Sequence, residues 1–425
     1  TTGSHGYSVT GGAGNDSIVG SSRNDSLDGG AGNDSLTGGT GDETFIISSG
    51  IDAITDLSGS DNLKVTSGAI ANATISANWT ATSASTQDGT ANLTLSTGAS
   101  SVDLSKSSGS NGYSVTGSAG NDSIIGSSRN DTINGGAGND SINGGDGDDR
   151  LDGGAGDDRL DGGAGNDNLD GGASNDSLTG GAGDDTFSVT SGTDAINDLN
   201  GSDQLIVQST RQKIGRRWSL VLSTANALVT GDWSATSNSK QDGTANLTLV
   251  NTGVSVNLSA TTGSHGYSVT GGAGNDSIIG SSRNDTINGG AGNDSINGGD
   301  GDDRLDGGTG DDSLDGGAGN DSLTGGTGDE TFIISSGIDA ITDLSGSDNL
   351  KVTSGAIANA TISANWTATS ASTQDGTANL TLSTGASSVD LSKSSGSNGY
   401  SVTGSAGNDS IIGSSRNDTI NGGAG

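Results

Sequence analysis

Residues Gly144–Gly163 read GGDGDDRLDGGAGDDRLDGG, and a single leucine returns after nine residues, at Leu151 and Leu160. A disordered acidic segment has no reason to keep that spacing. The unit behind it is Gly-Gly-x-Gly-x-Asp-x-U-x, where U is a large apolar residue. It recurs in register over four blocks, which are residues 11–46, 117–188, 271–333 and the start of a further block at 404–425. A fixed period of this kind predicts a repeat architecture in which each unit is one structural element.

The composition excludes several classes of protein. The chain has 425 residues, 79 of them glycine, a formal net charge of −35 and a hydrophobic fraction of 28%. So little apolar surface argues against one large core, and order must come from the repeat. The negative charge argues against nucleic acid as a partner. No apolar run approaches the ~18 residues that span a bilayer, so we expect no direct membrane insertion.

The segments between the blocks are rich in Ser, Thr, Ala and Asn, and they alternate small, polar and apolar residues around QDG and STG turns. These are strand and hairpin signals, while helix is disfavoured by dense glycine and the missing 3.6-residue period. We predict an all-β chain in which β-roll blocks alternate with small β modules. The modules are 1–10 (the end of a preceding one), 47–116, 189–270 and 334–403. Residues 29–138 recur identically as 316–425, and the sequence is expected to be a piece of a longer array.

The nonapeptide has the chemistry of a calcium site. Glycines at positions one, two and four allow the positive φ that a tight turn needs, and they leave backbone carbonyls free to converge. The aspartate at position six adds a hard anionic oxygen, and no nitrogen or sulfur ligand accompanies it. Such an oxygen-only set favours Ca²⁺. The residues x-U-x are long enough for a short strand with U pointing inward.

The units GGAGNDSLT at Gly29, GGDGDDRLD at Gly144 and GGAGDDRLD at Gly153 resemble the nonapeptide of the RTX (repeats-in-toxin) proteins at every defined position. The resemblance implies a parallel β-roll with two nonapeptides per coil, and several Ca²⁺ ions bound by position-six aspartates and backbone carbonyls. Carried onto this chain, the implied metal ligands are Asp16, Asp25, Asp34, Asp122, Asp131, Asp140, Asp149, Asp158, Asp167, Asp176, Asp185, Asp276, Asp285, Asp294, Asp303, Asp312, Asp321, Asp409 and Asp418.

Some units depart from the pattern. The second unit of every block reads GSSRND, so a serine stands at position two and an arginine at position four, as at Arg129. We expect these turns to bind calcium weakly, with the arginine pairing with a carboxylate instead. Glu43 and Glu330 replace the position-six aspartate and put those two sites in question. Weaker ligand candidates follow each block, and they are Asp52, Asp56, Asp61 and their counterparts. We expect Phe45, Phe187 and Phe332 to plug the ends of the core.

The sequence favours a structural protein over an enzyme. The carboxylates follow the repeat period and not one cleft, and no Ser, His and Asp recur together as a triad needs. His5 and His265 alternate with asparagine in other copies, so they are expected to be surface residues. Trp79 and its two counterparts are expected in a core, over the alternative of a sugar-stacking platform. The basic stretch from Arg211 to Trp218 is expected to be a solvated hairpin, although it also suits an acidic neighbour or an anionic polysaccharide.

The resemblance to RTX proteins implies type I secretion and folding outside the cell, where calcium is plentiful. We therefore expect a secreted, cell-surface or extracellular segment of a bacterial surface layer, filament or giant adhesin. Its expected partners are calcium and either further copies of itself or a cell-surface polysaccharide. The alternative is the non-catalytic RTX region of a secreted exoenzyme or toxin, with its activity in another domain.

Overall fold

The computed structural model describes residues 5–98, 100–214, 217–384 and 386–424, with the backbone alone for 210–214 and 217–221. Every regular element in these ranges is a β-strand, which confirms the predicted all-β class. No described segment forms a helix that is long and apolar enough to cross a membrane. Two compact units are present. One comprises Thr1–Asp198 and Asp203–Thr224, and the other comprises Leu199–Ser202 and Ala225–Gly425.

The strands up to residue 116 are β1 (Ser8–Ala13), β2 (Ser17–Val19), β3 (Ser26–Ala31), β4 (Ser35–Thr37), β5 (Thr44–Ile47), β6 (Ile51–Gly59), β7 (Asn62–Val65), β8 (Ile70–Thr80), β9 (Thr86–Gln87), β10 (Thr90–Leu95), β11 (Ser101–Asp103), β12 (Ser108–Gly109) and β13 (Ser114–Thr116). Those up to residue 222 are β14 (Ser123–Ile125), β15 (Thr132–Ala137), β16 (Ser141–Asp146), β17 (Arg150–Ala155), β18 (Arg159–Ala164), β19 (Asn168–Ala173), β20 (Ser177–Ala182), β21 (Thr186–Val189), β22 (Thr193–Gly201), β23 (Gln204–Val207), β24 (Ser209–Ile214) and β25 (Arg217–Leu222).

The strands from residue 224 onward are β26 (Thr224–Ser234), β27 (Lys240–Gln241), β28 (Thr244–Leu249), β29 (Ser255–Asn257), β30 (Thr262–Gly263), β31 (Ser268–Thr270), β32 (Ser277–Ile279), β33 (Thr286–Ala291), β34 (Ser295–Asn297), β35 (Arg304–Thr309), β36 (Ser313–Asp315), β37 (Ser322–Thr327), β38 (Thr331–Ile334), β39 (Ile338–Gly346), β40 (Asn349–Val352), β41 (Ile357–Thr367), β42 (Thr373–Gln374), β43 (Thr377–Leu382), β44 (Ser388–Asp390), β45 (Ser395–Gly396), β46 (Ser401–Thr403), β47 (Ser410–Ile412) and β48 (Thr419–Asn421).

The nonapeptide blocks form a parallel coil in which each strand pairs with the strand 18 residues further on. In the second block β17 pairs with β19, which places Leu151 beside Leu169. Strands β18 and β20 belong to a second ladder, in which Leu160 lies beside Leu178. Consecutive strands alternate between the two ladders, so two nonapeptides make one coil. This architecture is the parallel β-roll that the sequence predicts.

A narrow apolar core lies between the two ladders. Leu151 and Leu160 are fully buried, each at 0% exposure, and they enter the core from opposite ladders. The residues before and after them are half-buried or exposed, because successive side chains of a strand point to opposite faces. Each strand of the roll therefore contributes one large apolar side chain. A core this thin leaves the stability of the roll dependent on its turns.

The phenylalanine that closes each block does not end this core. Phe45 pairs with Leu63 on the next coil, and Phe187 pairs with Leu205. Phe332 is likewise fully buried with a paired strand after it. The prediction of end plugs is wrong, because the chain after each block keeps the parallel pairing.

The segments between blocks continue the coil with more residues per turn. Ile51 pairs with Ile70 and Ile70 with Thr90, while Trp79 pairs with Val102, which gives coils of 19, 20 and 23 residues. The strands predicted here are confirmed. The hairpins predicted at the QDG and STG turns are wrong, since these turns connect strands of parallel ladders. Strands β24 and β25 pair antiparallel and form the hairpin predicted at the basic insertion.

The tryptophans of these longer coils are core residues. Trp79 is fully buried, and its Nε1 donates a hydrogen bond of 2.9 Å to the backbone carbonyl of Asp61. Trp366 makes the equivalent bond to Asp348, also at 2.9 Å. Trp233 is 1% exposed. Burial of this kind rules out the sugar-stacking platform and confirms the core assignment.

Candidate metal centre

The position-six aspartates form rows along the turns of the roll. The backbone N–H of Asp131 donates to Oδ1 of Asp149 at 2.6 Å, and that of Asp149 donates to Oδ1 of Asp167 at 2.7 Å. The other edge repeats this link from Asp140 to Asp158 at 2.7 Å. Each link spans 18 residues, so the parallel coil itself places the carboxylates in register. These aspartates are no more than 3% exposed.

The second oxygen of many of these carboxylates is buried and has no hydrogen-bond partner. We call a turn that holds such a carboxylate an open turn. Within the described part of the chain the aspartates whose Oδ2 is in this state are Asp34, Asp52, Asp140, Asp149, Asp158, Asp167, Asp176, Asp194, Asp294, Asp303, Asp312, Asp321 and Asp339. A buried anionic oxygen without a donor is costly, and such groups ordinarily coordinate a cation or become protonated.

Backbone carbonyls stand beside these oxygens. A Cβ placed on Gly153 would lie 2.5 Å from Oδ2 of Asp158 and 2.5 Å from the carbonyl oxygen of Gly171 on the next coil. The carboxylate and carbonyl oxygens thus border a small space, which we call the cradle. It stays free because position one is a glycine and has no Cβ. In the described ranges no three His, Cys, Asp or Glu side chains converge on one point. One carboxylate with several carbonyls is an oxygen donor set that fits Ca²⁺.

Burial disfavours the ionised form of these carboxylates. Desolvation is the main cause that raises the pKa of Asp149 to about 7, against the amide bond from Asp131 and with support from neighbouring carboxylates. The same causes raise the pKa of Asp158 and Asp312 to about 6, and that of Asp303 to about 7. A divalent cation in the cradle would remove this penalty.

The first two units of every block hold their aspartate differently, in what we call closed turns. In the second block Ser127 donates to Asp131 from its backbone N–H at 2.6 Å and from Oγ at 3.0 Å, and Tyr113 donates from its N–H at 2.5 Å. The closed-turn aspartates are Asp16, Asp25, Asp122, Asp131, Asp276, Asp285, Asp409 and Asp418. Their second oxygen accepts the N–H of the position-two residue of the same unit.

In the part of the chain that the structure describes, the arginine of the GSSRND unit hydrogen-bonds to a backbone carbonyl and forms no ion pair with a carboxylate. Nε of Arg129 donates to the backbone carbonyl of Gly109 at 3.1 Å, and Arg283 makes the same bond to Gly263. The expectation of an arginine–carboxylate pair is therefore wrong at these positions. The residue that changes this turn is the serine at position two, since its N–H and hydroxyl satisfy the aspartate.

The weaker candidates after each block separate into two kinds. Asp52 continues the open row, because its Oδ1 accepts the N–H of Asp34 at 2.9 Å while its Oδ2 has no partner. Asp194 and Asp339 repeat this arrangement. Asp56 accepts the N–H groups of Gly38 and Gly39, each at 2.8 Å, so both of its oxygens are engaged. Asp61 is engaged in the same way, by the N–H groups of Glu43 at 2.7 Å and Ser58 at 2.9 Å.

The two glutamates at position six are buried like the aspartates. Glu43 and Glu330 are each 2% exposed, and Oε1 of each has no partner. Burial, together with the adjacent carboxylate of Asp61, raises the pKa of Glu43 to about 8. Asp185 is also buried, and its Oδ1 accepts the N–H of Asp167 at 2.8 Å.

Position five carries a second row that sequence reasoning missed. Oδ1 of Asp148 accepts the N–H of Asn166 at 2.9 Å, and Oδ1 of Asp157 accepts that of Asn175 at 3.0 Å. These hydrogen bonds give Asp148 and Asp157 a structural role beyond raising the local negative potential. The recurrence of Asn or Asp at position five was the signal, because both offer the same acceptor oxygen.

The remaining candidates add no second site. His265 is half-buried in a loop, where Nδ1 lies 3.0 Å from Oγ of Ser264. The side chains of the basic stretch from Arg211 to Trp218 lie outside the described residues.

The parallel coil and its rows of buried carboxylates define a calcium-binding repeat solenoid. A family model for the RTX calcium-binding nonapeptide repeat (4 copies) matches residues 10–44, 116–151, 152–187, 161–196, 270–305, 297–332, 306–341 and 403–425, about half of the chain in total. The chain belongs to this RTX calcium-binding repeat family, which is a binding repeat and not a catalytic family. Proteins with these repeats are typically secreted. A comparison with curated proteins gave no match.

Proposed function

We propose that this chain is a calcium-dependent structural or adhesive segment of a large secreted bacterial protein, and that its rolls fold outside the cell when Ca²⁺ binds. The observation that carries the proposal is the row of buried carboxylate oxygens without partners, repeated along a parallel coil. Such rows are energetically costly without a cation, because each oxygen loses its hydration and gains no hydrogen bond in exchange.

The proposed ligands are the open-turn aspartates together with the carbonyls beside them. When bound, Ca²⁺ supplies positive charge to carboxylates whose burial disfavours ionisation. The chain supplies the register, because the amide of each aspartate holds the carboxylate one coil away. It also supplies the space, because glycine at position one leaves the cradle free. Binding free energy then becomes folding free energy.

A structural or adhesive role is supported by the way the chain is organised. Rolls of different length alternate with the predicted modules 47–116, 189–270 and 334–403, in which the coil is longer. We propose that the modules space and present the rolls, that the protein acts at the cell surface and that it has no catalytic activity of its own. Its proposed partners are further copies of itself or a surface polysaccharide, with no role for nucleic acid or membrane insertion.

Circular dichroism of the whole chain tests the calcium step. We expect the β signal to grow when millimolar Ca²⁺ replaces a chelator, and a spectrum that ignores Ca²⁺ would refute the proposal. Chelation of the native material tests the surface role. Release from cells or loss of assembly supports it, whereas a monomer that stays soluble in calcium favours the region of an exoenzyme or toxin.

A further inference from the structure

The backbone at position two divides the turns of the roll into two conformations. In the open turns within the nonapeptide blocks, position two is a glycine with positive φ, for example 109° at Gly145 and 99° at Gly154. In the closed turns the residue at this position, such as Ser127 or Gly272, does not have positive φ. Among the described residues other than glycine, only Ser174 has positive φ, and it stands at position four. Serine at position two therefore favours the closed conformation, since side chains disfavour positive φ.

The closed conformation satisfies the aspartate without a cation. It directs the N–H of position two at Oδ2, at distances of 2.6 Å in Ser21, 2.6 Å in Ser127 and 2.7 Å in Ser281. The serine hydroxyl adds a further donor in all three. Three donors within hydrogen-bond distance oppose the burial of the carboxylate and lower the pKa of Asp25, whereas burial still raises the pKa of Asp131 and Asp285.

The closed turns are also tied to the module before them. Tyr113, which is 2% exposed, gives its N–H to Asp131, and Arg129 donates to the carbonyl of Gly109 in β12. The later copies repeat both bonds, with Arg416 donating to Gly396 at 2.8 Å. Each module and the two closed turns after it thus share buried side chains and hydrogen bonds that involve no open-turn aspartate.

The far end of each roll is closed by the next module. Asp56 accepts the N–H groups of both glycines at positions one and two of the last unit, and Asp343 does so for Gly325 at 2.9 Å and Gly326 at 2.8 Å. Ser49 also donates its hydroxyl to the carbonyl of Gly30 at 2.9 Å. Open turns therefore run from the third unit of each block to the first coil of the next module, where Asp52, Asp194 and Asp339 lie.

We propose that each module beyond its first coil, with the two closed turns that follow it, holds its fold without calcium, and that only the open turns wind and unwind with the cation. This inference rests on the proposed calcium function and deepens it. The closed turns act as the template for winding, because the N–H groups of Asp122 and Asp131 are the donors that receive the first open-turn carboxylates, those of Asp140 and Asp149. At low calcium the chain is a string of folded modules joined by unwound spacers.

Hydrogen exchange of the full chain, read by mass spectrometry near neutral pH, tests the inference. In chelator, peptides within 86–131 and 240–285 should exchange at least about tenfold more slowly than an unfolded chain, while peptides within 140–176 and 294–321 exchange at the unfolded rate. Millimolar Ca²⁺ should slow the second group about a hundredfold and change the first group little.

The outcomes separate this inference from the calcium function. If the module peptides lose protection together with the rolls in chelator, and calcium restores both, the inference falls while the calcium function stands. If calcium slows no peptide, both fall. Ser127→Gly tests the closed turn directly, since it removes the hydroxyl and permits positive φ. We expect peptides within 117–131 to lose about tenfold protection in chelator and to recover it in calcium.

The matched control is Ser128→Gly, the same substitution one residue later. The hydroxyl of Ser128 contacts the Arg129 guanidinium and no carboxylate. Protection of 117–131 in chelator should stay within about twofold of the parent chain. An unchanged exchange pattern in Ser127→Gly, or an equal loss in both variants, overturns the proposed role of the closed turn.

Discussion

Protons should partly replace calcium in the rolls, and the structure gives the size of the effect. The carboxyls of Asp158, Asp167 and Asp176 have pKa values near 6, and those of Asp149 and Asp194 near 7, with burial as the main cause. An aspartate in an unfolded chain titrates near 3.8. At about 1.4 kcal/mol for each pKa unit, ionisation of one such carboxyl costs the cation-free roll about 3 kcal/mol. The costs of neighbouring carboxyls are coupled and do not simply add, yet two of them already reach about 6 kcal/mol, within the range of the whole stability of a typical domain.

The sign follows from proton binding. Between about pH 4 and pH 7 the folded roll holds protons that the unfolded chain has already released, so stability rises as the pH falls through this window. We therefore expect the chelated chain to gain β structure between about pH 8 and pH 5, measured by far-ultraviolet circular dichroism. Sedimentation at each pH excludes aggregation as the source of the signal.

A salt control identifies the cause. Desolvation is the largest contribution to each of these pKa values, whereas repulsion between exposed charges is screened by salt. Sodium chloride at about pH 8 should therefore not reproduce the effect of acid. The reasoning would be refuted if the circular dichroism of the chain in chelator did not change down to pH 5. It would also be refuted if sodium chloride alone produced the β signal.

Three pairs of substitutions probe the turns. Asp149→Asn removes a buried charge, so it should raise the calcium concentration at half-folding about tenfold and stabilise the roll in chelator. The control, Asp131→Asn in a closed turn, should leave the calcium concentration at half-folding within about twofold of the parent chain. Gly153→Ala should abolish calcium-induced order around its turn by hydrogen exchange, since its Cβ would overlap the cradle, while Gly120→Ala, with no atom closer than 3.8 Å, should be silent. Asp157→Ala should cost about 1 kcal/mol in chemical unfolding at saturating calcium, and Asp157→Asn much less, because only the amide retains the acceptor oxygen; equal losses would contradict the position-five row.

The β-roll was predictable because its period is short and every position has one role. One apolar residue in nine, flanked by polar neighbours and glycine turns, is compatible with a strand on each side of a narrow core and with little else. Leu151 and Leu160 fulfil that prediction on opposite ladders. The position-six aspartates were predictable for the same reason, since any residue that recurs in register must stack on itself.

The modules were harder to predict because their coils are unequal. Pairing at 19, 20 and 23 residues leaves no fixed period along the chain, and short alternating strands beside QDG turns read equally well as hairpins. Parallel pairing becomes visible only when the neighbouring coil is present. The same limit explains the phenylalanines, since Phe45 marks the last regular unit of its block and not the end of the core.

The state of a turn depends on its place as well as on its sequence. A serine at position two, such as Ser127, predicts a closed turn, because a side chain at this position disfavours positive φ. Gly12 and Gly272 carry the residue found in open turns, yet both lack positive φ and both give their N–H to the aspartate of their own unit. They share with Ser127 only their position near the start of a block, beside a module. The residue at position two and the place of the unit at the start of a block therefore decide together where the open turns, and with them the proposed cation sites, begin.

That division explains how calcium demand scales with length. Over the described residues, the blocks of four, eight and seven units have two, six and five open-turn aspartates, counting the one that follows each block. Among aspartates the number is the number of units minus two in each of these blocks, because the two closed turns stay constant, while Glu43 and Glu330 each add a further buried oxygen without a partner. Duplication of a nonapeptide thus lengthens the calcium-dependent stretch and leaves both of its ends intact. A roll can change in length by whole units without any change in the modules that hold it.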